Sequence, residues 1–573
     1  MNKTLIWMIL LMISLHAIPL NAQDVRTPTD GRAQYRDEAS LIVAGMSLEE
    51  KVGQMFLVGL YGPIITDEGR QFLQTYKPGG VVLFNYNVST PESVTALIND
   101  WQTAITGATG MPLIVAIDQE GGRINTLEDV PFTQFPVPAL VTATGNHNLA
   151  YRVGAAQSLE LRAVGIHMNL APVTDLETNP ENPVIFRRSY GSDPFVVAPT
   201  ISATVQGMQD VGMMATLKHF PGHGDTSDDS HVTLPVLPYD FGAIQSLELI
   251  PFQSGIEAGV EAVMVGHLWL PAIDPEPNRP ASLSPIVVTD ILRDYMGFDG
   301  IIMTDAMDMD AIDTYYGSTE AAVMAVEAGV DLITTGPHMG LRTTEASIEA
   351  VVQAVREGRI PQASIDASAS RIVSSKLRYG VLDWQPLDPA TTMQRVENAN
   401  AQAIVQELFS SGVTLVYDHE QRLPFDTQSN VLVAYPSHRQ TVMRSCGAVG
   451  PQVRLYGFSN FPTIGEIDTL EQAAQTVDHV IVFTQNAVDK PEQAALVNAL
   501  PAEKTVVVAY WSPYDLNVFD RRPAAYMATY SPHDEGIAVA CNVLFGQQNA
   551  RGKLPVNLAA DLLAASGAGL PIR

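Results

Sequence analysis

Three short segments of this 573-residue chain gather side chains that can exchange protons or hold charge. The densest is Lys218-His-Phe-Pro-Gly-His-Gly-Asp-Thr-Ser-Asp-Asp-Ser-His231, in which a lysine and six histidines or aspartates follow a short apolar run across Gly and Pro. A loop that only has to be soluble rarely concentrates so many titratable groups, so this segment reads as functional. The second is Ile117-Asp-Gln-Glu-Gly-Gly-Arg123, where an apolar run passes into carboxylates and a flexible glycine pair. The third is Ile302-Met-Thr-Asp-Ala-Met-Asp308, in which Asp305 comes directly after apolar residues. A carboxylate there either caps the next helix or reacts, and beside the other two clusters the reactive role is preferred.

Segments so far apart in the chain need a scaffold that brings them together. Short apolar runs recur at Gly80–Phe84, Leu113–Ile117, His167–Ala171, Ala215–Lys218, Ala262–Val265, Ile301–Met303 and Asp331–Thr334. Helical patterns lie between most of them, as at Pro91–Thr106, Ala198–Val211 and Ser318–Ala328, and Ser47-x-x-Glu50 has the spacing of a capping box. Alternating strand and helix predicts parallel βα units. The loaded residues follow many different strands, which favours an α/β architecture of the TIM-like (β/α)8 barrel type over an open sheet. The rhythm stops near Arg371–Gly380, and Trp384-Gln-Pro-Leu-Asp-Pro389 reads as a linker. New strands at Val413–Tyr417, Asn430–Ala434, His479–Phe483 and Thr505–Ala509, with a helix at Val396–Ser411, predict a smaller second α/β layer domain. The expected boundaries are 1–22 for a leader, 23–383 for the barrel, 384–395 for the linker and 396–573 for the second domain.

Composition narrows the partners. With 33 basic against 62 acidic side chains the net charge is −29, and there is no Lys/Arg-rich run, so nucleic acid and anionic lipid are excluded as partners. Hydrophobic residues at 46% against 17% charged argue for a globular chain with a large core. Lys3 followed by the apolar run Leu5–Leu15 and the small residue Ala22 reads as an export signal, too short for a membrane span, so a secreted or periplasmic monomer without a transmembrane span is expected. Cys446 and Cys541 lie in apolar, helical stretches, which leaves a bridge and two buried thiols both open.

The same motifs, taken in order, resemble those of family-3 glycoside hydrolases, specifically the β-N-acetylglucosaminidase branch. The resemblance runs from Leu48-Glu-Glu-Lys-Val-Gly-Gln-Met55 through Ile117–Arg123, Asn182-Pro-Val-Ile-Phe-Arg-Arg-Ser-Tyr-Gly191, Lys218–His231 and Thr304-Asp-Ala-Met307 to Gly552-Lys-Leu-Pro555. It implies a barrel followed by an α/β sandwich, no cofactor and no metal, and hydrolysis of a carbohydrate with a terminal β-N-acetylhexosamine such as a muropeptide or chitooligosaccharide. It further implies that Asp305 is the nucleophile of a retaining mechanism and that Asp229 and His231 serve as the acid/base pair in place of the usual second carboxylate. Asp118, Arg188, Lys218 and His219 match the residues that hold sugar hydroxyls. Relatives commonly read Gly-Gly-Arg-Val-x-Arg, whereas this chain has Gly121-Gly-Arg-Ile-Asn-Thr126 and so lacks the second Arg of that pattern.

Two other enzyme classes fit some of these residues. A family-3 β-glucosidase would share Asp305, and a metal-dependent barrel hydrolase would use His219, His223, Asp225 and His231 as ligands. A non-catalytic carbohydrate-binding protein would not be expected to carry a complete nucleophile and acid set. The active site is expected on the first domain alone, with the second domain bracing it.

Overall fold

A computed structural model of the chain describes residues 32–109, 111–128, 131–397, 399–418, 421–426, 428–449 and 452–558. The leader read over residues 1–22 lies outside them. Eight parallel strands form one sheet: β1 Phe56–Gly59, β2 Gly80–Leu83, β3 Ile114–Ile117, β4 Met168–Asn169, β5 Met214–Phe220, β6 Ala262–Val265, β7 Ile301–Thr304 and β8 Ile333–Thr334. Neighbours in sequence are neighbours in space, with pairs such as Val81↔Val115, Met168↔Met214 and Ala262↔Ile301. Phe56↔Ile333 joins β1 to β8, and the bridge Met303↔Leu332 brings β8 back to β7, so the sheet curls round into a barrel. The strands are apolar and buried because helices cover their outer faces while side chains fill the inside.

Local chemistry sets several of these elements. The Ser47 hydroxyl accepts from the Glu50 amide and the Glu50 carboxylate accepts from the Ser47 amide, which completes the capping box of helix Leu48–Gln54. Helix Ser318–Ala328 spans the expected residues and stops at Gly329, a left-handed cap. β1 is missing from the sequence reading because it follows helix Leu48–Gln54 with no turn residue to separate the two apolar runs. β5 is longer than expected, and its register with β6 slips between Leu217 and Phe220. Such an irregularity is a common way to re-aim side chains beside a site.

The second domain is a six-stranded mixed sheet: β9 Thr414–Asp418, β10 Val431–Pro436, β11 Val453–Phe458, β12 His479–Thr484, β13 Thr505–Ala509 and β14 Ala525–Ala528, in the order β9-β14-β13-β12-β10-β11. Only the β9–β14 pair is antiparallel. β11 and β14 were not expected. β11 has a half-exposed pattern at the sheet edge, and β14 is a four-residue run preceded by charged residues.

Residues 384–395 are more than a tether. They include the helical turn Pro389–Thr391 and most of the next, Thr392–Val396, and they are bonded to the barrel: Arg395 Nε donates to Ala163 O at 2.9 Å and Asn99 Nδ2 to Leu387 O at 2.7 Å. Helix Ala399–Gly412 packs on the barrel helices Pro138–Ala143 and His147–Arg162, so one apolar core runs through both domains. Near the chain end the Gly552–Pro555 segment straps the domains together. Lys553 N donates to Ala143 O at 2.8 Å and Ser192 N to Pro555 O at 3.0 Å. Gly191 is needed there, since a Cβ would fall 2.4 Å from Pro555 O. Cys446 and Cys541 are both buried and helical, as read, and they are joined in a disulfide between helices Gln440–Val449 and Asp534–Leu544. Among the described residues no helix is long and apolar enough to cross a membrane.

Candidate active site

The carboxyl ends of the barrel strands carry the chemistry. Asp118 follows β3, Lys218 and His219 lie near the end of β5, and Asp305 is the first residue after β7. Lys218 Nζ contacts Asp118 Oδ1 at 2.5 Å and Glu120 Oε1 at 2.6 Å. Arg188 grips Glu120 with two parallel bonds, Nε to Oε2 at 2.8 Å and Nη2 to Oε1 at 2.7 Å. Two cations and two carboxylates thus balance one another in a nearly dry site, the arrangement a buried charge requires. Burial pushes the Glu120 carboxyl up, but Arg188 and Lys218 outweigh it and hold it down at about 2. Burial likewise opposes the Lys218 charge, and Asp118 and Glu120 restore it, so its affinity for a proton rises above the ordinary value.

The Lys218–His219 peptide bond is cis. Buried Asp175, from the segment after β4, accepts from the His219 amide at 3.0 Å and the His223 amide at 2.8 Å, and it meets His219 Nδ1 at 2.7 Å. This carboxylate can only accept once ionised, so Nδ1 carries the proton and Nε2 keeps its lone pair. Burial first, then the neighbouring Arg188 charge, pushes His219 well below its ordinary value, which keeps the ring neutral.

Asp305 lies on the floor of this face, anchored through its own amide to Val265 O at 3.0 Å, and its Oδ1 accepts from the Ala306 amide at 2.7 Å. Burial would raise its pKa. His219 and His267 once protonated in acid, with the Ala306 amide and His231, outweigh that and bring it to about 2, so the group is an anion throughout the neutral range. His267 comes two residues after β6. It donates from Nε2 to Ala306 O at 3.0 Å and therefore accepts at Nδ1 from the Ser282 hydroxyl at 2.7 Å.

His231 sits on the loop after β5, tied to the segment after β7 by the Asp310 amide, which donates to His231 O at 3.4 Å. Its Nδ1 meets Asp229 Oδ1 at 2.7 Å, and its amide donates to the same oxygen at 2.9 Å. Nε2 is left to exchange a proton. Although burial opposes the Asp229 charge, the bonds from His231 hold its carboxyl below the ordinary value. His223 anchors the base of the loop, with Nε2 on Ser230 Oγ at 2.9 Å and Nδ1 on Thr226 Oγ1 at 2.8 Å.

Asp118, Arg188, Lys218 and His219 fall into one cluster, Asp305 is coupled to it through His219, and the His231–Asp229 pair is coupled in turn to Asp305 through His231. The sequence reading missed Glu120, Asp175 and His267. Glu120 stands inside a flagged motif, and the other two follow strands that had been identified, so their place after a strand was the available signal. Thr126, where relatives have Arg, folds back onto Asp118, its hydroxyl donating to the Asp118 carbonyl at 2.9 Å. The metal set considered for the loop is committed elsewhere, with His219 on Asp175 and both His223 nitrogens on hydroxyls. Among the described residues no group of three or more His, Cys, Asp or Glu side chains is disposed to hold an ion.

Residues 47–375 match the glycosyl hydrolase family 3 N-terminal domain, and 413–567 match its C-terminal domain. The chain belongs to glycoside hydrolase family 3. It is 34% identical to a family-3 β-N-acetylglucosaminidase from Paenibacillus sp. str. FPU-7, whose structure superposes with a TM-score of 0.80 over 90% of this chain and 99% of that one. It is 27% identical to beta-hexosaminidase A of Pseudoalteromonas piscicida across 85% of this chain and 90% of the relative. Over 49% of this chain it is 38% identical to a beta-hexosaminidase of Stenotrophomonas maltophilia, covering 82% of that protein.

Proposed function

We propose that this glycoside hydrolase is a retaining exo-β-N-acetylglucosaminidase, releasing terminal β-linked N-acetylhexosamine from oligosaccharides. The observation that carries the reading is an anionic Asp305 at the end of β7 facing a loop that presents an Asp229–His231 pair, in a chain alike over nine-tenths of its length to an enzyme of that name. In the first step Asp305 Oδ attacks the anomeric carbon. The glycosidic bond breaks, and protonated His231 delivers its Nε2 proton to the departing oxygen. The neutral imidazole then takes a proton from water, which attacks the same carbon and frees Asp305. Asp229 keeps the Nδ1 proton throughout and steadies the imidazolium.

Sugar hydroxyls are read by Asp118, Lys218, Arg188 and the Nε2 lone pair of neutral His219. These groups are already paired, so each hydroxyl exchanges into an existing network, and an analogue lacking it leaves charge unsatisfied. The export signal read at the N-terminus supports action outside the cytoplasm, with the barrel at 23–383 and the second domain at 396–573. Turnover of an aryl β-N-acetylglucosaminide should exceed that of the matching aryl β-glucoside by roughly 100-fold or more. Faster release from the glucoside would replace this reading with a β-glucosidase.

A further inference from the structure

The steps above leave the junction between the two domains unused. There the loops after β3 and β4 face the carboxyl ends of β12, β13 and β14 across a cavity of about 890 Å³. Both walls are thus carboxyl edges of parallel strands, where α/β folds place their ligands. The barrel contributes Arg123 and Arg187, and the second domain contributes Asp489, Lys490 and Trp511.

Arg187 is the unusual group. Its backbone is left-handed, with φ at 65°, and its guanidinium lies 4.4 Å from the Phe186 ring centre and 4.7 Å from that of Trp511. Among the described residues no carboxylate comes within ion-pair distance of it, and its buried Nε and the indole Nε1 of Trp511 have no hydrogen-bond partner. Lys490 Nζ is likewise spent on neutral oxygens, Asn460 Oδ1 and Gln485 O, both at 3.1 Å. Among the described residues the acidic groups on the lining are Glu128 and Asp489, and Asp489 already accepts from Asn486 Nδ2. Burial lowers Arg187 to about 10 while the more distant charges of Asp515, Asp489 and Glu177 favour its charged form, so it remains a cation at neutral pH. A guanidinium held against rings keeps its N–H edge for a planar anion, and the rings offer apolar surface to a sugar face.

We propose that this cleft is a second carbohydrate site that takes a carboxylate-bearing sugar unit of the substrate, with Arg187 as the principal carboxylate ligand and Lys490 and Arg123 beside it. The proposal rests on the glycosidase reading for its ligand class. The test is calorimetric binding of N-acetylmuramic acid, N-acetylglucosamine and inorganic phosphate to the wild type and to Arg187→Met, Lys490→Met and Arg123→Met. Arg187→Met should weaken the acidic sugar by about tenfold or more, the other two should weaken it less, and N-acetylglucosamine should bind all four proteins alike. Aryl β-N-acetylglucosaminide turnover should stay within about twofold of wild type in the three variants. Equal binding of the acidic sugar to all four proteins overturns the site. Phosphate binding as tightly as the sugar reduces it to a simple anion site and overturns the carbohydrate assignment. If Arg187→Met lowers the melting temperature and every other readout together, and the exposed Arg123→Met changes nothing, Arg187 is only a brace. A wild type that binds the acidic sugar but turns over no aryl N-acetylglucosaminide would sink the functional reading and leave the site standing.

Discussion

The buried Lys218–Glu120–Arg188 cluster and the loop that carries Asp229 and His231 are built in opposite ways. Lys218, Glu120 and Arg188 are 2%, 7% and 8% exposed and, with Asp118, lock one another in a neutral set of short ion pairs, whereas the side chains of His231 and Asp229 are 62% and 38% open to solvent. The buried set holds its geometry before substrate arrives, so no reorganisation is needed during reaction. The proposed mechanism asks the loop pair for solvent access, because there it gives a proton to a departing sugar and then draws one from water. Asp305 belongs to the buried side electrostatically and meets the loop at its edge.

Removing Asp305 should have the largest effect. Asp305→Ala abolishes the covalent route, so turnover should fall by roughly 10⁴-fold or more with the fold retained. A mechanism-based fluorosugar should label Asp305 in the wild type, and labelling of another carboxylate would undo the assignment. Next comes the contrast itself. Glu120→Gln strands Lys218 and Arg188 partly unpaired in a dry site and should cost about 3–5 kcal/mol of unfolding free energy. Asp229→Ala, on the exposed pair, should leave the denaturation midpoint almost unchanged. Equal losses in the two variants would remove the distinction between the regions.

His231→Ala sharpens the catalytic half of the comparison. A dinitrophenyl leaving group departs without a proton, so the variant should keep most of the first-step rate on that substrate while losing roughly 10²–10⁴-fold on an oligosaccharide. Asp229→Ala should show a weaker version of the same split. Parallel losses on both substrates would make His231 a binding residue.

These regions were also unequally legible in the sequence. The loop announced itself, since histidines and aspartates between glycines have few structural uses, and Asp229–His231 needs only local chain geometry to form. The barrel followed from the spacing of apolar runs, with β1 lost because nothing separates it from the preceding helix. Glu120 and Asp175 were harder. Their importance lies in partners far along the chain, Arg188 and Lys218 for one and the His219 and His223 amides for the other, and only closure of the barrel creates those contacts. The Cys446–Cys541 bridge and the packing of residues 384–395 on the barrel are also tertiary facts, invisible to a local pattern.

The smallest predicted effect concerns what supports the loop from beneath. Glu248 is buried, its Oε2 has no hydrogen-bond partner, and it lies so near Gly222 that a Cβ there would fall 2.6 Å from that oxygen. Burial first, with Asp175 and Asp225 adding repulsion, pushes its carboxyl up to about 8. The folded state therefore holds a proton that the unfolded chain releases near its ordinary value, and between the two values the folded state binds more protons. Stability then falls as pH rises through that window, with a slope of at most about 1.4 kcal/mol per pH unit for one group. Glu248→Gln keeps the shape and removes the titration, so its unfolding free energy should gain steadily on the wild type from pH 5 to pH 8 and run parallel above that. Glu177, also buried and pushed up to about 8, leaves both proteins with a shared residual slope that cancels in the difference. Denaturant titrations at several pH values measure that difference directly. If it is constant from pH 5 to pH 8, Glu248 does not hold the proton, and the floor under the His231 loop is charged.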